Sequence, residues 1–488
     1  MSRKESEKLY DAITELPDAL VEGAEEHKPR RRWRWSAAVA AVLVLAVAGG
    51  LLLRPGGSPL RTEAFAVALA EYPEMAPYPD ESVYSDPVTG EFDIDGYMQA
   101  YDAWLESRRA QRNQAEGCAD GLEGFFAQSI RAFLSGAGEE NRVYSPLNVY
   151  MALAMLAELT DGESRAQILQ VLGSGSIEDL RAQASALWNA HYRDDGLTTS
   201  ILAASVWLNE EISFRQETLD TLARVYYASS FQGEMGSQEL DQALQSWLDE
   251  QTGGLLSEQA GQITLNPDTV LALATTIYFQ ARWNDEFSER ATQPGTFHAP
   301  GGDMECDFMH QSDTRTYYWG EQFSAVALGL TESGRMWLLL PDEGVEAEQL
   351  LADDQVMELL WNGRAWEDQK YLIVNLALPK FDVTSQLELT EGLQALGVTD
   401  VFDASVSDFS PMTGDVEGIY VSQAQHDTRV VIDEEGVTAA AYTVAANDAG
   451  AAPPDEEIDF VLDRPFLFAI TSEEGLPLFV GVVNQPVE

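Results

Sequence analysis

Ile432-Asp-Glu-Glu-Gly-Val-Thr-Ala-Ala-Ala-Tyr-Thr-Val-Ala-Ala446 decides how this chain is read. It opens as a strand, passes a glycine, and then offers almost nothing large. Ordinary loops are rich in Gly, Pro, Asn, Asp and Ser. Ordinary exposed strands alternate apolar with polar residues. This stretch does neither. Alternate residues of a strand face opposite sides of a sheet. Every second residue from Val437 gives Val437, Ala439, Ala441, Thr443 and Ala445, a face with no charge and no bulk. The one large residue, Tyr442, falls on the other face. A segment with the composition of a core strand in the position of a loop suggests a chain that moves between the two states.

The chain has 488 residues, 45% hydrophobic and 23% charged, enough for a large folded core. Its net charge is −52, and residues 1–34 carry as many basic as acidic side chains, so the rest bears the whole deficit. Such a body repels phosphate backbones and heparin-like polyanions, so neither nucleic acid nor polyanion is expected as a partner. Residues 35–53 form an uncharged run of membrane length, which at about 1.5 Å rise per residue spans roughly 28 Å. Lys28, Arg30, Arg31, Arg32 and Arg34 precede it, which places residues 1–34 in the cytoplasm and the remainder outside. A cleaved signal peptide is the competing reading. The long n-region and the lack of a clear Ala-x-Ala site favour an uncleaved anchor.

Residues 54–92 read as a proline-rich tether, with Pro55, Pro59, Pro73, Pro77, Pro79 and Pro87. Over 93–112, Ile94, Tyr97, Met98, Tyr101, Trp104 and Leu105 recur at helical spacing. That helix either docks on the main domain or serves a separate partner. From Cys118 onwards helical stripes (Phe125 to Leu134, Pro146 to Leu159) mix irregularly with strand-like runs, which indicates an α+β domain. Cys118 and Cys306 are the only cysteines; outside a membrane they are able to pair, but one pair is no disulfide framework. The Cys306 to His310 spacing has no second pair beside it, and no metal site is expected.

Enzyme motifs are missing. The chain has five histidines and no nucleophile elbow, His-Glu-x-x-His, phosphate-cradling loop or dinucleotide-binding glycine turn. No catalytic residue and no cofactor is expected. The positive signal is a set of motifs over 118–488. Asn141-Arg-Val-Tyr-Ser-Pro-Leu-Asn148, the run from Ala274 to Trp283, Leu338-Leu-Leu-Pro-Asp342, Leu378-Pro-Lys-Phe381, Leu396-Gly-Val-Thr-Asp-Val-Phe402 and Asp463-Arg-Pro-Phe-Leu-Phe-Ala-Ile470 occur in this order. Together they resemble the serpin family of serine protease inhibitors, in a membrane-anchored, prokaryotic-type form.

The resemblance implies a serpin fold, with three β-sheets, surrounding helices and an exposed reactive-centre loop. It implies a monomer that traps serine proteases by inserting its cleaved loop into the central sheet, an action the family is known for. A non-inhibitory binding or structural role is the alternative. The resemblance assigns Glu434, Glu435, Gly436, Val437, Thr438, Ala439, Ala440 and Ala441 to the hinge. It puts Ser145, Asn148, Thr275, Trp283 and His426 at the shutter and breach, where the central sheet opens. Val437, Asn148 and Thr275 depart from the commoner family types (Thr or Ser, Ser, and Asn). The loop is several residues longer than in typical members, so the scissile bond is placed at Gly450-Ala451, with Ala449 and Ala452 bounding the alternatives. No Lys or Arg lies between Arg429 and Arg464, which disfavours trypsin-like enzymes and favours elastase-like or subtilisin-like ones with shallow primary pockets.

Overall fold

The computed structural model describes residues 62–86, 89–115, 117–254, 257–261, 263–362, 365–422, 424–437, 454 and 456–487. Among them no helix is long and apolar enough to cross a membrane. The expected span 35–53 lies outside the described residues.

In chain order the helices used below are α1 (Ile94–Ala115), α2 (Glu123–Leu134), α3 (Pro146–Leu159), α4 (Gly162–Val171) and α5 (Ile177–His191). The strands are β1 (Ala66–Ala68), β2 (Arg142–Tyr144), β3 (Arg193–Asp194), β4 (Thr199–Asn209), β5 (Ala228–Gly233), β6 (Leu271–Arg282), β7 (Gln293–Ala299), β8 (Gly302–Trp319) and β9 (Phe323–Leu330). They continue with β10 (Gly334–Pro341), β11 (Gln369–Pro379), β12 (Phe381–Glu388), β13 (Gln425–Ile432), β14 (Gly436–Val437), β15 (Glu457–Val461), β16 (Phe466–Thr471) and β17 (Pro477–Val483).

Two sheets result. The first runs β1-β5-β4-β6-β14-β13-β12, with β3 beside β4. The second runs β15-β11-β8-β9-β10-β16-β17-β2, with β7 beside β8. The expected third sheet is not separate. The 18-residue strand β8 pairs with β7 and β11 over most of its length and with β9 at its end. One long strand therefore welds two expected sheets into one hydrogen-bonded set. Helices α4 and α5 follow the two helical stripes read from sequence and precede the long strand β4.

Local sequence explains the central elements. Ser145 caps α3, its hydroxyl accepting the Asn148 N–H, with Pro146 in the first turn. Apolar on almost every face, α3 is buried nearly throughout, as a helix inside a large domain must be. All of β16 and β17 is buried, which matches their continuous apolar sequence. Cys118 and Cys306 are both buried free thiols.

The proline-rich stretch is more than a tether where it is described. β1 pairs antiparallel with β5, Ala66 opposite Phe231. Tyr72 packs on Trp188 with ring centroids 5.3 Å apart, beside Tyr192 and Tyr227. Helix α1 docks on the domain through Trp104, which is fully buried, T-stacked on Tyr78 and bonded from Nε1 to Asp195 Oδ2 at 2.9 Å. Aromatic rings at intervals supply the apolar area that the prolines lack. Trp104→Ala should cost about 3–5 kcal/mol of that docking. Hydrogen exchange should then show α1 amides losing protection while β16 and β17 keep theirs; unchanged α1 protection would contradict the docking described.

Candidate functional site

The hinge is a tight turn between β13 and β14. The Asp433 carboxylate accepts from Glu435 N at 3.0 Å and Gly436 N at 3.1 Å, while Asp433 N donates to Gly436 O at 3.1 Å. This closure reverses the chain so that Val437 lies opposite both Ile432 on β13 and Ala281 on β6. All three are buried on one face. Gly436 has a steric reason. A Cβ there would fall within contact of the Ala281 carbonyl oxygen and 2.8 Å from Arg282 Cα. Only a residue without a side chain lets the turn press against β6.

Beyond Val437, β6 and β13 share no ladder among the described residues. The two halves of the first sheet are bridged at one end by a two-residue strand. Thr438, Ala439, Ala440 and Ala441, and the scissile candidates Ala449, Gly450, Ala451 and Ala452, lie outside the described residues.

Trp283 sits where β6 meets the turn. Its Nε1 donates to Asp433 O at 2.9 Å and its backbone N to Glu435 O at 3.1 Å. Thr331 Oγ1 donates to Trp283 O at 3.2 Å from the adjoining hairpin turn. Glu434 is held separately. Lys380 Nζ reaches its Oε2 at 2.6 Å and Thr292 Oγ1 its Oε1 at 2.8 Å. Burial alone would raise the Glu434 carboxyl, but these hydrogen bonds outweigh it and leave it below its ordinary value. The Glu435 carboxyl is raised, by burial first and then by nearby Asp433.

The shutter residues meet lower down. His426, fully buried on β13, accepts the Ser145 N–H at Nε2 over 3.0 Å, so the ring is neutral with its proton on Nδ1. Tyr144 packs edge-on against it at 5.6 Å. Thr428 Oγ1, two residues on, donates to Val143 O at 3.0 Å. Ser145, Asn148 and His426 are thus brought together. Thr275 is not part of that network; it lies on β6 opposite Ala204 of β4 and makes no hydrogen bond to the other three.

Lys380, Thr292 and Asp433 hold this turn in place, and sequence reasoning gave them no role. A signal for Lys380 existed. Beyond residue 28 the chain has lysines only at 370 and 380. Both sit beside an end of the loop, Lys380 on Glu434 and Lys370 on Glu456 at 2.5 Å.

Two predictions follow from this geometry. Gly436→Ala should push Val437 out of register and destabilise the protein by about 1–3 kcal/mol. Native-state exchange of the Val437 amide is the test, and retained protection would refute the steric account. His426 gives a pH dependence. An unfolded imidazole titrates near pH 6.5, and burial pushes this one down to about 4. Between those values the unfolded chain binds more protons, so the stabilisation is full above about pH 6.5 and is lost as pH falls towards 4. The total is roughly 3 kcal/mol. Denaturant titrations across that window should show a shallower loss for His426→Gln, and equal slopes would count against the assignment.

The comparisons agree with this geometry. The family model for serpins (serine protease inhibitors) matches residues 122–486. A wheat protein, Serpin-Z2B, is 27% identical over 365 residues, covering 71% of this chain and 90% of its own. The human leukocyte elastase inhibitor is 28% identical over 374 residues, covering 74% of this chain and 97% of its own. The crystal structure of tengpin, a thermophilic serpin, in its native state superposes with a TM-score of 0.66 at 24% identity, covering 75% of this chain and 93% of that one. With the family's model spanning the domain and the family's fold built around the hinge, this chain belongs to the serpin family and is not an enzyme.

Proposed function

We propose that this serpin is an irreversible suicide-substrate inhibitor of serine endopeptidases, held at the outer face of a membrane by a single anchor at 35–53. The observation that carries the reading is Val437, hydrogen-bonded between β6 and β13 at the head of an interval that no described strand fills. Extending that antiparallel register would set Ala439 against Phe279 and Val430, and Ala441 against Ile277 and Thr428. Thr443 would then meet Thr275 and His426. Val430, Thr428 and His426 are buried on the same face as Ile432, so each incoming residue must be small or able to hydrogen-bond. The loop supplies that pattern.

Both loop ends are anchored before cleavage, Val437 in the first sheet and Glu457 beside Ile373 on β11 in the second. A protease serine attacking the Gly450 carbonyl would form an acyl-enzyme and release the Ala451 amine. The freed segment would then enter the sheet carrying the ester-linked enzyme, with hydrolysis of the ester left incomplete. Small residues flank the bond, and an elastase inhibitor stands among the relatives. Elastase-like and subtilisin-like enzymes are therefore the expected targets.

Incubation with pancreatic elastase or subtilisin should give a complex that survives SDS, and the released fragment should begin at Ala451. Val437→Arg, which puts a charge on the buried face, should be cleaved without forming the complex. Undiminished trapping by that variant would falsify the insertion mechanism.

A further inference from the structure

Helix α1 closes over a cavity of about 40 Å³ at the junction with α5, β4 and the turns before β10 and β17. Arg108, His191, Arg193, Ser200 and Ser333 line it, each more than nine-tenths buried. Five of their polar atoms find no partner among the described residues: Arg108 Nε, Arg193 Nη2, His191 Nε2, Ser200 Oγ and Ser333 Oγ. Folded chains leave few buried polar atoms unsatisfied, so five around one cavity point to an occupant.

The local carboxylates are already committed. Asp195 accepts from Arg193 Nε at 2.6 Å, Trp104 Nε1 at 2.9 Å, Thr198 N at 2.9 Å and Leu197 N at 3.0 Å. Glu473 takes Arg108 Nη2 at 3.2 Å, and Glu474 takes the Ser472 hydroxyl at 3.1 Å. The Glu332 carbonyl receives both guanidinium groups. What remains are N–H and O–H donors, plus one imidazole nitrogen. His191 Nδ1 donates to Leu187 O at 2.8 Å, so its Nε2 carries the lone pair while the ring is neutral.

We propose that this cavity is a buried halide site, holding one chloride-sized anion between the two guanidinium groups and the two serine hydroxyls. A metal cation is excluded by the donor lining. Water supplies only two lone pairs to the four donors Arg108 Nε, Arg193 Nη2, Ser200 Oγ and Ser333 Oγ, whereas a halide accepts from every direction. The volume sets the size limit. At about 10–15 Å³ for each water-sized occupant it admits a halide and a water or two, and nothing as large as a sugar or nucleotide. Charge is balanced if the anion enters with a proton on His191 Nε2, which then becomes another donor. The charged groups facing that ring are Arg108 from α1, Arg193 and Asp195 before β4, and Glu473 and Glu474 from the turn before β17. Binding therefore strengthens as pH falls below neutrality.

The intact chain tests this without any protease, so the outcome is independent of the inhibitory reading. Its Tm should be higher in sodium chloride or bromide than in sodium gluconate at equal ionic strength, and more so at acidic pH. Crystals grown in bromide should show an anomalous peak in the cavity within hydrogen-bonding reach of Arg108 and Arg193. Ser333→Ala, a mild change, and Arg108→Met should each lose most of the halide-dependent shift. Equal Tm in all three salts, a shift that both variants retain, or a bromide map without a peak there would overturn the proposal.

Discussion

A backbone edge inside a sheet has to be paired, because each buried N–H or C=O left without a partner costs about 1–3 kcal/mol. Strands β6 and β13 lie inside the first sheet, yet among the described residues they meet only through Gly436 and Val437. The rest of the site follows from that constraint. Gly436 permits the contact with β6, and Asp433 folds the turn that brings Val437 there. Trp283 ties the turn to the end of β6. His426 and Thr428 pin β13 to the helix and strand behind it. These contacts set how far apart the two halves of the sheet stand.

Charge arranges the same region. In a chain of net charge −52, every lysine sits in a field that favours its charged form, and its position decides which carboxylate it neutralises. The two lysines of the domain each hold a glutamate at one margin of the loop. The Lys380 pair is partly shielded and supported by Thr292, whereas the Lys370 pair is exposed at both ends. Exposed pairs contribute little, so the two anchors differ in strength, and the hinge end is the firmer of them.

Much of the fold was legible because its signals are local. Pro146 after Ser145, the apolar stripes of α2 and α3, and the continuous apolar runs of β16 and β17 all state their structure in sequence. Val437 was singled out by the small-residue face, and Ser145, Asn148, Trp283 and His426 by motif position. Thr275 came from strand position, which brings a residue to a neighbourhood but does not aim its hydroxyl. Lys380 was overlooked because a pair joining residues 54 positions apart leaves no periodic trace. The merging of two sheets escaped notice for a related reason: β8 alternates irregularly, with faces that change neighbours along its length. The 62–92 stretch was read from its prolines, while its tyrosines, spaced to meet Trp188, Tyr97 and Trp104, carried the structure.

The short strand β1 has a consequence for the molecule among other molecules. A sheet edge with free N–H and C=O groups is a template for strands of any chain that drifts by. By lying along β5, Ala66 to Ala68 occupy part of that template with the protein's own backbone. The margin of the first sheet is thereby reduced to a strand three residues long, too short to template much of a foreign one.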